Sequence, residues 1–199
     1  MKGRESGMPD ENHWHTFFDA DCVVVRLECA KDKNESIVEF GSGYGTFTLP
    51  AAKRTSGTVY AFDIEPELVS LLQRKAFDEE LENVKAELRD FVANGTGLLN
   101  ESVDHAMVYN ILHIEEPVSL LEEAYRVLKP GGLVSIVHWK HDSTTPRGPS
   151  MSIRPRPEQC RAWGEQAGFI FMRHQDLSEC CKYHYGMLLM RPHAQSGTA

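Results

Sequence analysis

The sequence lacks any long apolar run. None of its stretches approaches the roughly 18 consecutive apolar residues that a membrane helix needs. The first residues, MKGRESGMPDENHW, are polar and lack the apolar core of a signal peptide. We therefore expect a cytoplasmic protein that does not engage a membrane.

Cysteines are few and show no metal-binding spacing. The five are Cys22, Cys29, Cys160, Cys180 and Cys181, an odd number without a CxxC pair. This pattern disfavours both a disulfide framework and a cysteine-rich zinc site. We expect most of them to be reduced thiols that pack as small apolar side chains, and we expect no bound metal.

Positive charge is in deficit. The chain has 21 Lys and Arg against 29 Asp and Glu, a formal net charge of −8. A broad nucleic-acid surface needs clustered cations, so nucleic acid is disfavoured as a partner, although a local basic pocket stays open. A hydrophobic content of 41% and a length of 199 residues suit one globular domain with a single core.

Strand and helix signals alternate along the chain. We expect a disordered lead over residues 1–12, one domain over 13–192 and a disordered tail over 193–199. Apolar runs predict strands at 36–40, 58–63, 84–88, 103–109, 133–138, 169–175 and 183–190. Helices are predicted at 46–54, 66–77, 91–98, 117–128 and 158–167, with one or two more within 14–30. Such alternation predicts an α/β fold, a mostly parallel sheet covered by helices on both faces.

The most specific motif is a glycine-rich turn in SIVEFGSGYGTFTLPAA, residues 36–52. An apolar strand carrying Glu39 is followed by Gly41, Gly43 and Gly45 and then by a segment that can start a helix. α/β proteins hold adenosine-containing ligands at such a turn. The dinucleotide fingerprint needs a glycine where Thr46 stands, and the phosphate loop needs a Gly-Lys-Ser/Thr that does not follow. Both of those ligand classes are excluded.

The turn, an acid followed by G-x-G-x-G, resembles the first motif of the class I S-adenosylmethionine-dependent methyltransferases. Similar motifs follow in order, in VYAFDIEPELV (59–69), ELRDF (87–91), SVDHAMVYNILHIEEP (102–117) and EEAYRVLKPGGLVSIV (122–137). The resemblance covers roughly residues 36–139. It implies a three-layer α/β/α sandwich with a mostly parallel seven-stranded sheet and an antiparallel C-terminal strand. It also implies S-adenosylmethionine as the methyl donor.

The resemblance assigns contacts with the donor. Asp63 would accept hydrogen bonds from the ribose hydroxyls, Ile64 would pack on the adenine, and Asp90 and Phe91 would contact the adenine amino group and the ring or its edge. Glu39 would favour the cationic sulfonium and ammonium, directly or through water. The donor-binding residues expected are Glu39, Gly41, Gly43, Gly45, Asp63, Ile64, Asp90, Phe91 and Asn110. Two simpler interpretations stay open. Glu39 could be a helix-capping or surface acid, and Asp63 could cap the helix that begins near Pro66.

The candidates for catalysis lie where the fourth and fifth strands end. His113 and His138 have intrinsic pKa values suited to a general base, which the reaction needs only if the acceptor must lose a proton. Asn110 would position donor or acceptor. A structural or pocket-lining role for either histidine stays open. The sequence Asn110-Ile111-Leu112-His113 lacks the Pro-Pro-aromatic motif of specialised N-methyltransferases, so we favour a small-molecule acceptor over adenine N6 or an amide.

An arginine-bearing loop follows the fifth strand. Residues 140–157 contain Arg147, Arg154 and Arg156 beside prolines, and guanidinium groups suit carboxylate or phosphate. We expect this loop to bind an anionic group on the acceptor. The alternative is that these arginines only anchor the loop to the protein's own acids.

Other interpretations stay open. The aromatic segment with Trp14, His15, Phe17 and Phe18 could be a lid over the donor or ordinary core. An RNA methyltransferase, a catalytically inactive S-adenosylmethionine-binding protein and a metalloid or thiol methyltransferase are the alternatives in function. We expect a monomer or a homodimer.

Overall fold

A computed structural model describes residues 8–193 of the chain. Within these residues one seven-stranded sheet has the strand order β3-β2-β1-β4-β5-β7-β6. The strands are β1 (Ile37–Phe40), β2 (Val59–Asp63), β3 (Val84–Leu88), β4 (Val103–Tyr109), β5 (Leu128–Trp139), β6 (Ile170–Gln175) and β7 (His184–Met190). Only β7 runs against the others, pairing antiparallel with both β5 and β6.

Helices cover both faces of the sheet. They are α1 (Glu11–His15), α2 (Ala20–Arg26), α3 (Thr48–Ala52), α4 (Pro66–Asp78), α5 (Phe91–Asn94), α6 (Pro117–Val127) and α7 (Pro157–Gln166). Successive side chains of a strand point to opposite faces. Ile37 accordingly belongs to the same buried cluster as Val23 of α2, whereas the next residue, Val38, belongs to the cluster that contains Leu121 of α6.

Helix starts follow from local chemistry. Proline is favoured in the first turn because its missing N–H would have no partner there, and Pro66, Pro117 and Pro157 each begin a helix. In α4, Leu68 and Leu72 lie one turn apart and are both buried, which fixes the helix against the sheet.

The predicted fold class is confirmed, including the antiparallel C-terminal strand. Two predicted bounds are wrong. Helix α5 ends at Asn94 rather than at 98 because Gly95 adopts a left-handed φ of 60°. Strand β5 begins at Leu128 rather than at 133, so Lys129–Gly132 lie in the strand. Gly131 N donates to Arg191 O at 2.9 Å, which keeps this irregular stretch bonded to the chain after β7.

The chain ends differ from the expectation where they are described. Helix α1 begins at Glu11, inside the segment predicted to be a disordered lead. Residues 1–7 of that lead and 194–199 of the predicted tail lie outside the described residues.

One disulfide joins Cys22 at the start of α2 to Cys180 in the β6–β7 loop, residues 176–183. The two cysteines are 158 positions apart in sequence. Cys29, Cys160 and Cys181 are free and buried, as expected for thiols that pack as apolar groups. Among residues 8–193 no helix is long and apolar enough to cross a membrane, since even α4 has only 13 residues.

Candidate functional site

A cavity of about 190 Å³ opens at the carboxyl ends of β1, β2 and β4. The strand order reverses between β1 and β4, and open α/β sheets bind ligands in the crevice at such a point. The predicted donor-site residues that line the cavity are Glu39, Gly41, Gly43, Asp63, Ile64, Asp90, Phe91 and Asn110. Gly45 lies outside it, where a Cβ would come within 2.5 Å of Leu72 Cδ1, so Gly45 lets the turn pack on α4.

The glycine turn is fixed by the neighbouring strand. Gly41 N and Ser42 N both donate to Phe62 O, at 2.9 and 3.0 Å. Gly41 has φ 78° and Gly43 has φ 52°, left-handed values that a side chain would strain. A Cβ on Gly43 would also lie 2.8 Å from Met8 Sδ. The turn therefore needs glycine both for its shape and for its close approach to residue 8.

Asp63 ends β2 and faces the turn. Its Oδ2 accepts from Gly43 N at 2.8 Å, and its Oδ1 accepts from Glu65 N at 3.1 Å. A carboxylate has about four lone-pair sites, so Asp63 keeps acceptor capacity toward the cavity. Burial raises the pKa of Asp63, and the backbone bonds partly oppose this. Asp63 can therefore bond to the backbone before α4, as a capping residue would, and still accept hydrogen bonds from a ligand.

Glu39 is the most deeply buried acid of the site. It is 2% exposed, and Oε2 accepts a hydrogen bond from the hydroxyl of Thr48. Burial raises the pKa of Glu39 to about 8, despite the Thr48 bond, and the negative charge of Asp63 adds to the rise. A cation in the cavity would stabilise the ionised form.

The opposite wall is formed by the ends of β2 and β3. Asp90 caps α5, where its Oδ1 accepts from Ala93 N at 3.0 Å. Phe91 is buried and meets Phe40 edge to face at 5.4 Å between ring centroids. Ile64 and Val92 also line this wall. An apolar slot with a carboxylate at its rim suits a flat heterocycle with an exocyclic amine.

Two residues that line the cavity, Ser42 and Asn110, carry buried polar side chains. Both atoms of the Asn110 amide and the Ser42 hydroxyl are buried without a hydrogen-bond partner among residues 8–193. Asn110 has a φ of 54° and its N donates to Val137 O at 2.7 Å, which holds it at the end of β4. Buried polar groups are normally paired. These groups fit a polar ligand such as the ribosyl and amino-acid parts of S-adenosylmethionine.

The two histidines expected to act as bases are adjacent but not equivalent. His113 lines the cavity, and its Nδ1 lies 3.3 Å from Nε2 of His138. His138 is fully buried behind it, and burial together with His113 and His184 lowers the pKa of His138 far below its usual value. A neutral His138 can hold the ring of His113 but does not itself face the cavity.

The three arginines of the loop are placed differently. Arg147 lines the cavity together with Gly148 and Pro149. Arg154 is 7% exposed, and its guanidinium donates to the loop itself: the carbonyl oxygens of Lys140, Asp142, Arg147 and Pro149 and the hydroxyl of Thr145. Arg156 is exposed and precedes α7. The structure therefore brings only Arg147 to the cavity.

The N-terminal segment closes one side of the cavity. Trp14 lines it, and its Nε1 donates to the Thr46 hydroxyl at 3.1 Å. Met8 and Pro9 also line it, although the sequence predicted a disordered lead there. Their contacts span more than 30 positions, so no local pattern could have identified them.

Comparisons with known proteins agree with this geometry. Residues 37–132 match the family model described as a methyltransferase domain. A crystal structure of a SAM-dependent methyltransferase from Aquifex aeolicus superposes with a TM-score of 0.80 and 25% identity, over 92% of this chain and 94% of that chain.

The curated relatives match only part of this chain and only part of their own length. A demethylmenaquinone methyltransferase from Geobacillus sp. is 28% identical over 113 residues, 56% of this chain and 47% of its own length. An arsenite methyltransferase from Halobacterium salinarum is 29% identical over 127 residues, 59% of this chain and 32% of its own length. The chain thus spans about a third to a half of the curated relatives it matches.

Proposed function

Because the chain belongs to the class I S-adenosylmethionine-dependent methyltransferases, we propose that it transfers a methyl group from S-adenosylmethionine to a small-molecule acceptor by in-line displacement. The observation that carries this proposal is the pair of unpartnered polar groups, Asn110 and Ser42. They lie in one cavity with the carboxylates of Glu39 and Asp63. This set offers donors and acceptors for a ribose diol and negative charge for a cation.

The donor site binds S-adenosylmethionine and orients its methyl group. Asp63 accepts hydrogen bonds from the ribose, the slot beside Phe91 receives the adenine, and Asn110 holds the amino-acid end. S-adenosylmethionine supplies a methyl group on a cationic sulfur whose thioether is already a good leaving group. The protein therefore contributes mainly alignment and exclusion of water.

The acceptor lies between His113, Trp139 and Arg147. His113 accepts a proton from an acceptor that must lose one, and His138 positions it. Arg147 pairs with an anionic group on the acceptor. Arg154, which the sequence offered as a second anion ligand, instead folds the loop that carries Arg147.

The alternatives differ in what they require. RNA as acceptor would need clustered cations, and the net charge of −8 disfavours it. Metalloid methylation would need several thiolates together, but Cys22 and Cys180 are bonded to each other and the free thiols are buried. No group of three metal-binding side chains that could hold an ion occurs within residues 8–193.

A panel assay tests the proposal. The chain is incubated with S-adenosylmethionine and small molecules with and without an acidic group, and adenosylhomocysteine release and product mass are measured. We expect release with at least one acidic acceptor, and none from an Asp63→Ala control that no longer holds the donor. Saturable donor binding without turnover across the panel would favour an inactive binding protein. Turnover only with tRNA or rRNA would favour an RNA methyltransferase.

A further inference from the structure

Residues 8–19 form a lid over the cavity. Met8, Pro9 and Trp14 line the cavity from this side. The hydroxyl of Tyr44, in the glycine turn, donates to Pro9 O at 2.8 Å, and Lys75 of α4 pairs with Glu11. These contacts attach the lid to the glycine turn and to α4.

Aromatic rings hold the middle of the lid. Phe17 meets Trp139 at 5.1 Å between ring centroids, and Trp14 meets Trp139 at 6.5 Å. Phe18 meets Phe47 at 5.1 Å. Because Trp14, Phe47 and Trp139 also line the cavity, any displacement of the lid changes the cavity wall.

The base of the lid is tied to the β6–β7 loop. Asp19 N donates to Cys180 O at 2.7 Å, and Cys22, three residues on, is bonded to Cys180. These two links fix the end of the lid to the β6–β7 loop. Without the covalent bond, the Asp19 hydrogen bond, an ion pair between Arg26 of α2 and Glu179, and the packing of Phe17 on Tyr183 and of Phe18 on His184 would remain, none of them covalent.

The cavity is small for the proposed ligand. Its volume is about 190 Å³, whereas pockets for drug-sized ligands are roughly 300–1,000 Å³. A shift of the lid would widen this cavity for ligands to enter and leave. We propose that the Cys22–Cys180 disulfide holds this lid closed, so that its reduction by a small dithiol loosens the lid and speeds exchange of the ligand. The ligand itself rests on the proposed function.

The dithiol supplies the two electrons that reduce the disulfide. A thiolate of the dithiol attacks the sulfur of Cys22, a half-buried residue, rather than that of Cys180, which is 4% exposed. The Cys180 thiolate leaves and takes up a proton. The second thiol of the reductant then displaces Cys22, leaving two cysteine thiols and an oxidised, cyclic reductant. Cys181 does not interfere, because burial raises its pKa to about 12 and keeps it a thiol.

The test compares the oxidised and dithiothreitol-reduced full chain. Hydrogen exchange is measured for peptides covering the lid and β4, and adenosylhomocysteine dissociation is measured by stopped flow. We expect faster exchange in the lid, unchanged exchange in β4, and dissociation about fivefold or more faster after reduction. Cys22→Ser should match the reduced protein under both conditions. Cys160→Ala, whose sulfur lies on α7 against Tyr185, should keep the response to reductant.

Three outcomes of the hydrogen-exchange and alkylation measurements would overturn the proposal. They are unchanged lid exchange after reduction, equal acceleration throughout the lid and β4, and alkylation of Cys22 and Cys180 without prior reduction. If adenosylhomocysteine binds in neither state, the proposed function fails, but lid exchange still decides whether the disulfide restrains residues 8–19. Reduction could also speed hydrogen exchange in the lid without changing the rate of adenosylhomocysteine dissociation. The disulfide would then restrain the lid but not control ligand release, and this result too would overturn the proposal.

Discussion

Replacing Glu39 with Gln should change how stability depends on pH. The pKa of Glu39 is about 8 in the folded protein because the side chain is buried, against an ordinary value of 4.5. Between these values the folded protein keeps a proton that the unfolded chain has lost. The free energy of unfolding therefore falls as pH rises through this window, by about 1.4 kcal/mol per pH unit from this group.

The Glu39→Gln variant removes that slope. Its side-chain amide stays neutral and still offers an oxygen to the Thr48 hydroxyl, so from pH 6 to pH 8 the variant should gain about 2–3 kcal/mol relative to the wild type. Buried His105 and His138 have lowered pKa values because of burial. They act in the opposite direction below their ordinary pKa, but equally in both proteins, so their contribution cancels in the difference.

Denaturant unfolding at pH 6, 7 and 8, with the disulfide kept oxidised, measures the effect. The same substitution should flatten the pH dependence of S-adenosylmethionine affinity, which in the wild type strengthens as Glu39 ionises, by up to about tenfold per pH unit. The ligand's own titration is common to both proteins. Parallel stability curves for wild type and variant would refute the reasoning that Glu39 is protonated at neutral pH.

Four further substitutions test the site. Asn110→Gly, which tolerates the left-handed backbone, should weaken donor binding by about tenfold in calorimetry, and an unchanged affinity would contradict its role. His113→Gln should lower kcat by about 100-fold or more with an acceptor that loses a proton, measured as adenosylhomocysteine release. Arg147→Ala should raise KM for an acidic acceptor by about tenfold or more, whereas the exposed control Arg156→Ala should not. Arg154→Ala should lower the free energy of unfolding by about 2–3 kcal/mol because its loop carbonyls lose their donor, and a smaller cost than that of Arg156→Ala would count against this.

The sheet could be predicted from the sequence because its signals are local. The apolar runs at Ile37–Phe40 and Val103–Tyr109 and the proline at position 66 each define an element within a few residues. The order of the acids along the chain placed Glu39 and Asp63 at strand ends, and both line the cavity. Conversely, the early end of α5 had a local signal that the predicted helix to 98 overlooked, because Gly95 is a residue type that commonly ends a helix in the left-handed conformation.

The sequence raised a lid in the segment around Trp14 only as one of two interpretations, and it left the role of the arginine loop open in the same way. Trp14 bonds to a residue 32 positions away, and Cys22 to one 158 positions away, so neither leaves a local pattern. An arginine at position 154 predicts hydrogen bonds to oxygen acceptors but does not identify them, because loop carbonyls and a substrate anion both offer such acceptors. Only the fold decides which of them the guanidinium meets.

The most direct test of the central claim is calorimetric titration of the wild type and Asp63→Ala with adenosylhomocysteine. We expect saturable one-to-one binding to the wild type and at least about tenfold weaker binding to the variant. Absence of binding to the wild type, or equal affinity for both proteins, would contradict the assignment of the glycine turn and Asp63 as the methyl-donor site.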